Sequence, residues 1–299
     1  MKSGFVGIVG RPNVGKSTLL NAVLGEKIAI TTEKPQTTRN TIRGIYTHYG
    51  EEAGEEDIQM IFIDTPGIHK PHNKLGEYMT EAALGTFGEV DVIVFIVDEG
   101  LSKGPGDKYI VELLKEIDTP KLLVINKIDK MGPDEFAAIY GEYEKLGIFE
   151  EILGTSAIEG VHVEDVIKAA AGFMEEGPMY FPDDIVTENP ARFIVSEIIR
   201  EKILMYLRDE VPHGVAVEIE SYREEDTLTR IGAVIYCEKK SHKGMIIGKG
   251  GRKLKGIGKS AREEIEGLLG TRVYLETWVK VKENWRDSDI ALTNFGYKD

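Results

Sequence analysis

The octapeptide GRPNVGKS at positions 10–17 sets two glycines, a lysine and a hydroxyl in the spacing G-x-x-x-x-G-K-[ST]. Gly10 and Gly15 permit backbone angles that turn several amide N–H groups toward one point, and a helix opening there adds its positive end. Such a loop receives phosphate oxygens. Lys16 brings charge to the β and γ phosphates, and Ser17 offers a hydroxyl to Mg2+. Gly10, Asn13, Val14, Gly15, Lys16, Ser17 and Thr18 are the expected phosphate-side contacts. By itself the loop leaves adenine and guanine nucleotides equally open. Downstream, DTPG (64–67) follows the apolar run IQMIFI, with Asp64 expected to hold Mg2+ through water and the Gly67 N–H to sense a γ-phosphate. NKID (126–129) closes another apolar run, KLLVIN. A carboxylate at Asp129 accepts from the guanine ring N–H and the exocyclic amine; adenine lacks that pair of donors and would leave a buried charge unpaired. Asn126 is expected to brace this loop and Lys127 to lie along the base. TSA (155–157) follows a further short strand, where a backbone N–H of Ser156 or Ala157 reaches the guanine oxygen.

A second constellation lies near the C-terminus. The formal net charge of −14 argues, taken alone, against a polyanionic partner. From Lys239 to Arg262, however, nine residues are Lys or Arg and none is Asp or Glu, so this segment is +9 and the rest of the chain −23. A cationic island on an anionic protein is a directed binding surface, since the remainder repels polyanions. Within it, Gly248-Lys249-Gly250-Gly251 fits G-x-x-G, and Ile246 and Ile247 close an apolar run just before it. Two helices around such a loop form a KH pattern, in which the turn clamps the backbone of about four nucleotides and an apolar groove receives their bases. Ile247, Gly248, Lys249, Gly250, Gly251, Arg252, Lys253 and Lys243 are the expected RNA contacts; Lys255 and Lys259 add longer-range attraction. The expected ligand is single-stranded RNA, not DNA. Trp278, in the strand-like run VYLETWVKV, and Tyr236 are read as sheet packing, and neither Trp278 nor Trp285 is assigned to RNA. His69 and His72 are read as members of a solvated loop, not as metal ligands.

The elements that position these residues fall into two patterns. Strand-like runs at 5–10, 41–49, 58–63, 91–98, 120–126 and 150–154 alternate with helical patterns at 16–24, 74–88, 105–117, 133–146 and 162–174. VIVFIV and KLLVIN are continuous apolar runs, the signature of strands covered on both faces in a mainly parallel α/β sheet. The acidic stretch EEAGEED between the second and third strands reads as the polar tip of a hairpin. Residues 1–175 form this domain, the Pro-containing polar stretch 176–190 reads as a linker, and 191–299 form a smaller α+β domain in the order α-β-β-α-α-β. The single cysteine, Cys237, excludes an internal disulfide and reads as a buried core thiol. The longest apolar run, Val92 to Val97, is far short of the roughly 20 residues that span a bilayer, and MKSGFVGIVG lacks a signal-peptide core. A cytoplasmic location is the default expectation.

GRPNVGKS, DTPG, NKID and TSA together resemble the translational-factor class of P-loop GTPases. With a type II KH domain behind them, the whole chain is similar to the Era family of bacterial small-subunit assembly GTPases. The resemblance implies GTP hydrolysis to GDP with Mg2+, and catalytic roles for Lys16, Thr38, Asp64 and Gly67. It makes 30–41 the first switch, with Thr38 joining Ser17 and Asp64 on Mg2+; Thr37 is an adjacent competitor that sequence does not separate. The second switch would run from Asp64 to about Leu75. Small signalling GTPases carry a water-positioning Gln after DxxG, whereas this chain has Ile68, so slow intrinsic hydrolysis is expected. The Asn13 carbonyl offers one remedy, a K+ held between phosphates, and bracing of the loop is the alternative role. The implied partners are the 3′ end of 16S rRNA and the 30S subunit, with peripheral contact at the inner face of the membrane. Two other readings are an RNA-binding adaptor with GTP as a structural ligand, which the intact Lys16, Ser17 and Asp64 disfavour, and a membrane signalling GTPase. The glycine loop favours RNA over lipid, because lipid needs no clamp.

Overall fold

Uninterrupted runs of Val, Ile, Leu and Phe give the N-terminal part of the chain a sheet buried on both faces. The computed structural model describes residues 1–32, 34, 36–50, 56–102, 104–207 and 214–297. Contacts divide the chain into two units, one made of 1–29, 38–70 and 79–188, the other of 30–37, 71–78 and residues from 189 onward.

In the first unit, strands β1 (Lys2–Gly10), β2 (Ile42–His48), β3 (Ile58–Asp64), β4 (Val92–Val97), β5 (Lys121–Asn126) and β6 (Glu151–Thr155) lie in the order β2-β3-β1-β4-β5-β6. All neighbours pair in parallel except β2 with β3, the expected hairpin, in register Ile42↔Asp64. Its acidic tip at 51–55 lies outside the described residues. Helices α1 (Lys16–Leu24), α2 (Lys74–Gly85), α3 (Pro105–Lys115), α4 (Pro133–Glu144) and α5 (Val163–Ala171) make the connections. Every residue of β4 and β5 is buried; Phe95, Val97 and Ile125 pack with Ile110 and Leu114 of α3 and Ile139 and Tyr143 of α4. Because parallel strands return through helices, the motif residues that follow β1, β3, β5 and β6 emerge at one edge, the carboxyl ends of the strands.

The stretch read from composition as a linker is ordered along the sheet of this unit. A short strand β7 (Glu175–Glu176) pairs antiparallel with Lys2 and Ser3 of β1. Further on, the Ile45 N–H donates to the Val186 carbonyl at 2.9 Å, and Thr187 Oγ1 to the Arg43 carbonyl at 2.6 Å. Arg43 pairs with Glu188 at 3.0 Å. These bonds cap the edge strand β2, whose outward backbone groups would otherwise offer a template for another chain. Helix α1 matches the expectation, while the helices expected at 105–117 and 162–174 end earlier, at Lys115 and Ala171.

The second unit holds α6 (Ala191–Tyr206), β8 (Val215–Glu225), β9 (Leu228–Cys237), α7 (Lys240–Ile247), α8 (Arg252–Leu269) and β10 (Arg272–Val281). Its sheet runs β10-β9-β8, with β10 parallel and β8 antiparallel to β9. Ile257, Ala261 and Ile265 form an i, i+4 stripe on α8 that buries against Ile231, Ala233 and Ile235 of β9 and Ile194 and Ile198 of α6. Cys237 is a fully buried member of this core. A helix absent from the sequence reading, α9 (Asp289–Asn294), follows Trp285, which is fully buried with its indole N–H on the Gly214 carbonyl at 3.1 Å. Trp278 packs on the sheet beside Gly232 and is 46% exposed.

Candidate functional site

At the carboxyl end of β1 the phosphate loop folds against its own lysine. Lys16 Nζ donates to the carbonyls of Gly10 (3.2 Å) and Arg11 (2.9 Å). The side chain is almost wholly buried, which pushes its pKa down to about 8 against the opposing pull of Asp64. The Asp64 carboxyl, fully buried at the end of β3, is pushed up to about 6 by the same desolvation, against Lys16 and hydrogen bonds from Ser17 and Thr38. Ser17 Oγ donates to Asp64 Oδ2 at 2.6 Å, and Thr38 Oγ1 lies 2.8 Å from Ser17 Oγ and 3.4 Å from Asp64 Oδ2. Asp64 Oδ1 is buried with no hydrogen-bond partner. Two hydroxyls and a carboxylate with one unsatisfied oxygen are a hard-donor set that fits Mg2+ completed by phosphate oxygens and water. Thr37 takes another course: its Oγ1 donates to the Lys34 carbonyl at 2.6 Å and lies 2.7 Å from Thr32 Oγ1. Residues 30–37 belong with the second unit, where the Thr31 N–H donates to Glu201 at 2.9 Å and the buried Arg200 donates to the Thr37 carbonyl.

Gly67 sits where a Cβ would lie 2.6 Å from Pro12 N, so only glycine lets DTPG approach the phosphate loop this closely. The next residue, Ile68, is fully buried and its N–H donates to the Gly10 carbonyl at 3.1 Å. The position after DxxG therefore fills the core.

The base end is built from β5 and β6. Asn126 is buried and bridges two loops, donating through Nδ2 to the Val14 carbonyl at 2.8 Å and accepting through Oδ1 from the Ala157 N–H at 3.0 Å. Lys127 takes a left-handed turn, φ 65°, and its ammonium reaches the Asn13 carbonyl at 2.7 Å. Ser156 Oγ donates to Asp129 Oδ1 at 2.6 Å. Asp129 itself is exposed, so a bound base would have to supply the desolvation that makes an unpaired carboxylate costly. Asn13 is exposed with φ 67°, and Thr18 lies half-buried in the first turn of α1.

In the second unit the turn between α7 and α8 has Gly248, Gly250 and Gly251 at φ 71°, 61° and 73°. All three lie in the left-handed region that side chains rarely adopt, and a Cβ on Gly248 would meet Lys253 Cβ at 2.7 Å. Gly251 caps α8, whose first turn carries no acidic residue, so the helix N-terminus and the exposed Lys249 and Arg252 present positive charge together. Ile247 is partly buried against the core beside this turn. Lys253 is half-buried. Lys243 lies in the first half of α7, half-buried and close enough to Cys237 to oppose the upward shift that burial gives that thiol. His69 and His72 join no cluster able to hold a metal among the described residues.

Comparison with known proteins decides the family. Residues 5–127 match the family described as 50S ribosome-binding GTPase, and 210–286 match the KH domain. The chain is 58% identical over 298 residues to the GTPase Era of Alkaliphilus oremlandii, spanning 99% of both chains. It is 56% identical over 301 residues to that of Clostridioides difficile, spanning 100% of this chain and 99% of the other. The chain belongs to the Era family of GTPases. Its fold superposes along the full length of both chains on an Era variant of Aquifex aeolicus bound to GDP·AlF4−, at 39% identity and TM-score 0.93. A second Era structure, in complex with MgGDPNP and nucleotides 1506–1542 of 16S ribosomal RNA, matches over the full length of both chains at 40% identity and TM-score 0.92.

Sequence reading overlooked three side chains in this Era-family site. Asn21 fastens the loop after α1, donating to the Ala29 carbonyl at 2.8 Å and accepting from the N–H groups of Ile28 and Ala29. Arg11 counted only as a variable position of the phosphate loop, and Asp98 only as the last residue of the strand-like run 91–98. An acidic residue ending a wholly apolar strand at the sheet's carboxyl edge was the available signal for Asp98.

Proposed function

We propose that this chain is a GTP-hydrolysing switch that holds single-stranded RNA at the 3′ end of 16S rRNA while the 30S subunit matures. The reading rests on the full-length likeness, at 40% identity, to an Era bound to 16S rRNA nucleotides and MgGDPNP. The description "50S ribosome-binding GTPase" covers residues 5–127 only, and that segment lacks the basic turn. In this reading Gly10, Asn13, Val14, Gly15, Lys16, Ser17 and Thr18 hold the phosphates. Asn126, Lys127, Asp129, Ser156 and Ala157 hold guanine. Ser17, Thr38 and Asp64 would hold Mg2+, which neutralises charge developing on the phosphates. The Gly67 N–H faces the γ-phosphate, and Asn13 offers a K+ site beside it. Arg200 and Glu201 grip residues 31–37 from α6, so ordering of that segment by GTP would be felt by the RNA-binding unit. The place of action is the cytoplasm, with any membrane contact peripheral; no helix among the described residues is long and apolar enough to cross a membrane.

Gly250→Asp tests the RNA assignment. It adds a Cβ at φ 61° and a negative charge where the nucleic-acid backbone approaches. Anisotropy with a labelled oligonucleotide of the 16S 3′ end should show at least a roughly tenfold weaker complex, with GDP affinity unchanged. Undiminished RNA affinity would overturn the clamp.

A further inference from the structure

We propose that Asp98 is a positioning residue of the nucleotide site: its carboxylate fixes Lys127 in the posture that grips guanine and joins it to Arg11 of the phosphate loop. The inference rests on the base-binding role proposed above for Lys127.

Asp98 directly follows β4 and is largely shielded, with 21% of its side chain exposed. Its two oxygens take different cations. Oδ2 accepts from Lys127 Nζ at 2.6 Å, and Oδ1 accepts from the Arg11 guanidinium at 3.0 Å. The Lys127 ammonium is thereby held between Asp98 and the Asn13 carbonyl, 2.7 Å away. Arg11 has two further carboxylates, Glu99 and Asp107, each at 2.8 Å, and its own carbonyl accepts from Lys16 Nζ at 2.9 Å. One carboxylate thus spans the loop that holds phosphate and the residue that lies on the base.

The two cations depend on it unequally. Without Asp98, Arg11 keeps two anionic partners, while Lys127 loses the only anion paired with it among the described residues. A lysine stem is flexible, and covering a base with it costs rotamer freedom. Holding the ammonium beforehand lowers that cost, as preorganisation does in general. The stem contact is with the base, far from the reacting phosphate, and is therefore the same in ground and transition states. Its loss raises KM and leaves kcat alone.

The test is a double-mutant cycle in the full-length chain with Asp98→Asn and Lys127→Met, read by fluorescent-GDP titration and steady-state GTP hydrolysis. Asp98→Asn is expected to weaken GDP and raise KM for GTP by about tenfold, the size of one charge-assisted hydrogen bond, with kcat within about twofold. In the Lys127→Met background the same change should add less than about twofold. Asp98→Glu, which keeps the charge on a longer stem, serves as the second variant and should recover part of the loss. An unchanged GDP affinity in Asp98→Asn overturns the proposal. So does an undiminished effect of Asp98→Asn in the Lys127→Met background, which would route it through Arg11 or the fold. A Lys127→Met chain that binds GDP as tightly as wild type would instead sink the base-binding role of Lys127.

Discussion

Asn126 offers a severe test of how the two ends of the nucleotide site are joined. Its amide is almost wholly buried and satisfies both the Val14 carbonyl, at 2.8 Å, and the Ala157 N–H, at 3.0 Å. Asn126→Ala strands one buried acceptor and one buried donor. At about 1–3 kcal/mol for each group left unpaired, the gross cost is roughly 2–6 kcal/mol, the lower end applying if water enters the space. For a unit of this size that lowers Tm by roughly 4–24 °C. GDP should bind at least about tenfold more weakly, because binding must now fix the phosphate loop and the 155–157 turn separately.

Asn126→Asp sharpens the test. The carboxylate still accepts from Ala157 but sets a second oxygen against the Val14 carbonyl. Burial and that oxygen raise its folded pKa above the unfolded value near 3.9. The protonated form, favoured in the fold, can donate to Val14 as the amide did. Stability relative to wild type is therefore best at low pH and is lost as pH climbs from about 4 through the raised folded pKa. Thermal melts of wild type, Asn126→Ala and Asn126→Asp from pH 5 to 8 decide the matter. The Asp deficit should shrink on acidification while the Ala deficit stays flat. Parallel pH profiles for the two variants, or GDP affinity within twofold of wild type, would falsify the bridging role.

Three further outcomes follow from the geometry. Asp64 titrates near pH 6 without nucleotide, and Mg2+ has to displace that proton, so apparent Mg2+ affinity in the presence of GDP should fall about tenfold from pH 7 to 5 after correction for nucleotide protonation; a flat profile excludes Asp64 as the titrating ligand. Hydrolysis should be slow and faster in K+ than in equimolar Na+, since Ile68 fills the core where a water-positioning group would stand; equal rates remove the K+ role of Asn13. Gln59→Leu, which makes β3 more apolar, should destabilise the chain by about 2–4 kcal/mol, because it strands the Tyr180 and Phe181 backbone groups that the amide satisfies; a melting curve at or above wild type contradicts this.

The nucleotide site was legible in the sequence because its chemistry is concentrated in short motifs and its scaffold in local pattern. GRPNVGKS, DTPG and NKID each follow an apolar run and TSA a further short strand, and parallel strands bring their ends to one edge without any further information. Pairings between residues far apart in sequence were not legible. Arg11 and Asp98 are separated by 87 positions, and no local pattern connects them. Thr37 and Thr38 are equivalent by type, and only the direction taken by the backbone sends Thr38 toward Ser17 while Thr37 bonds Thr32 and Lys34.

Gln59 shows what fastens the stretch read as a linker, 176–190, to the sheet of the first unit. In the run IQMIFI it is the one polar residue, and it is fully buried. A buried amide needs partners for two donors and an acceptor. Its Nε2 donates to Thr47 Oγ1 at 3.0 Å and to the Phe181 carbonyl at 2.8 Å, and its Oε1 accepts from the N–H groups of Tyr180 and Phe181 at 2.7 and 3.0 Å. Three of those four bonds come from a segment whose prolines and acidic residues resemble a linker. Proline suits such a strap, because it fixes an extended backbone and cannot donate to a continuous ladder of hydrogen bonds beyond Glu175–Glu176. Composition speaks to the segment's local backbone and carries no information about its attachment. The misfit lay in the partner strand: a glutamine amid isoleucines, methionine and phenylalanine has to be answered by backbone from somewhere, and the run IQMIFI alone announces that demand.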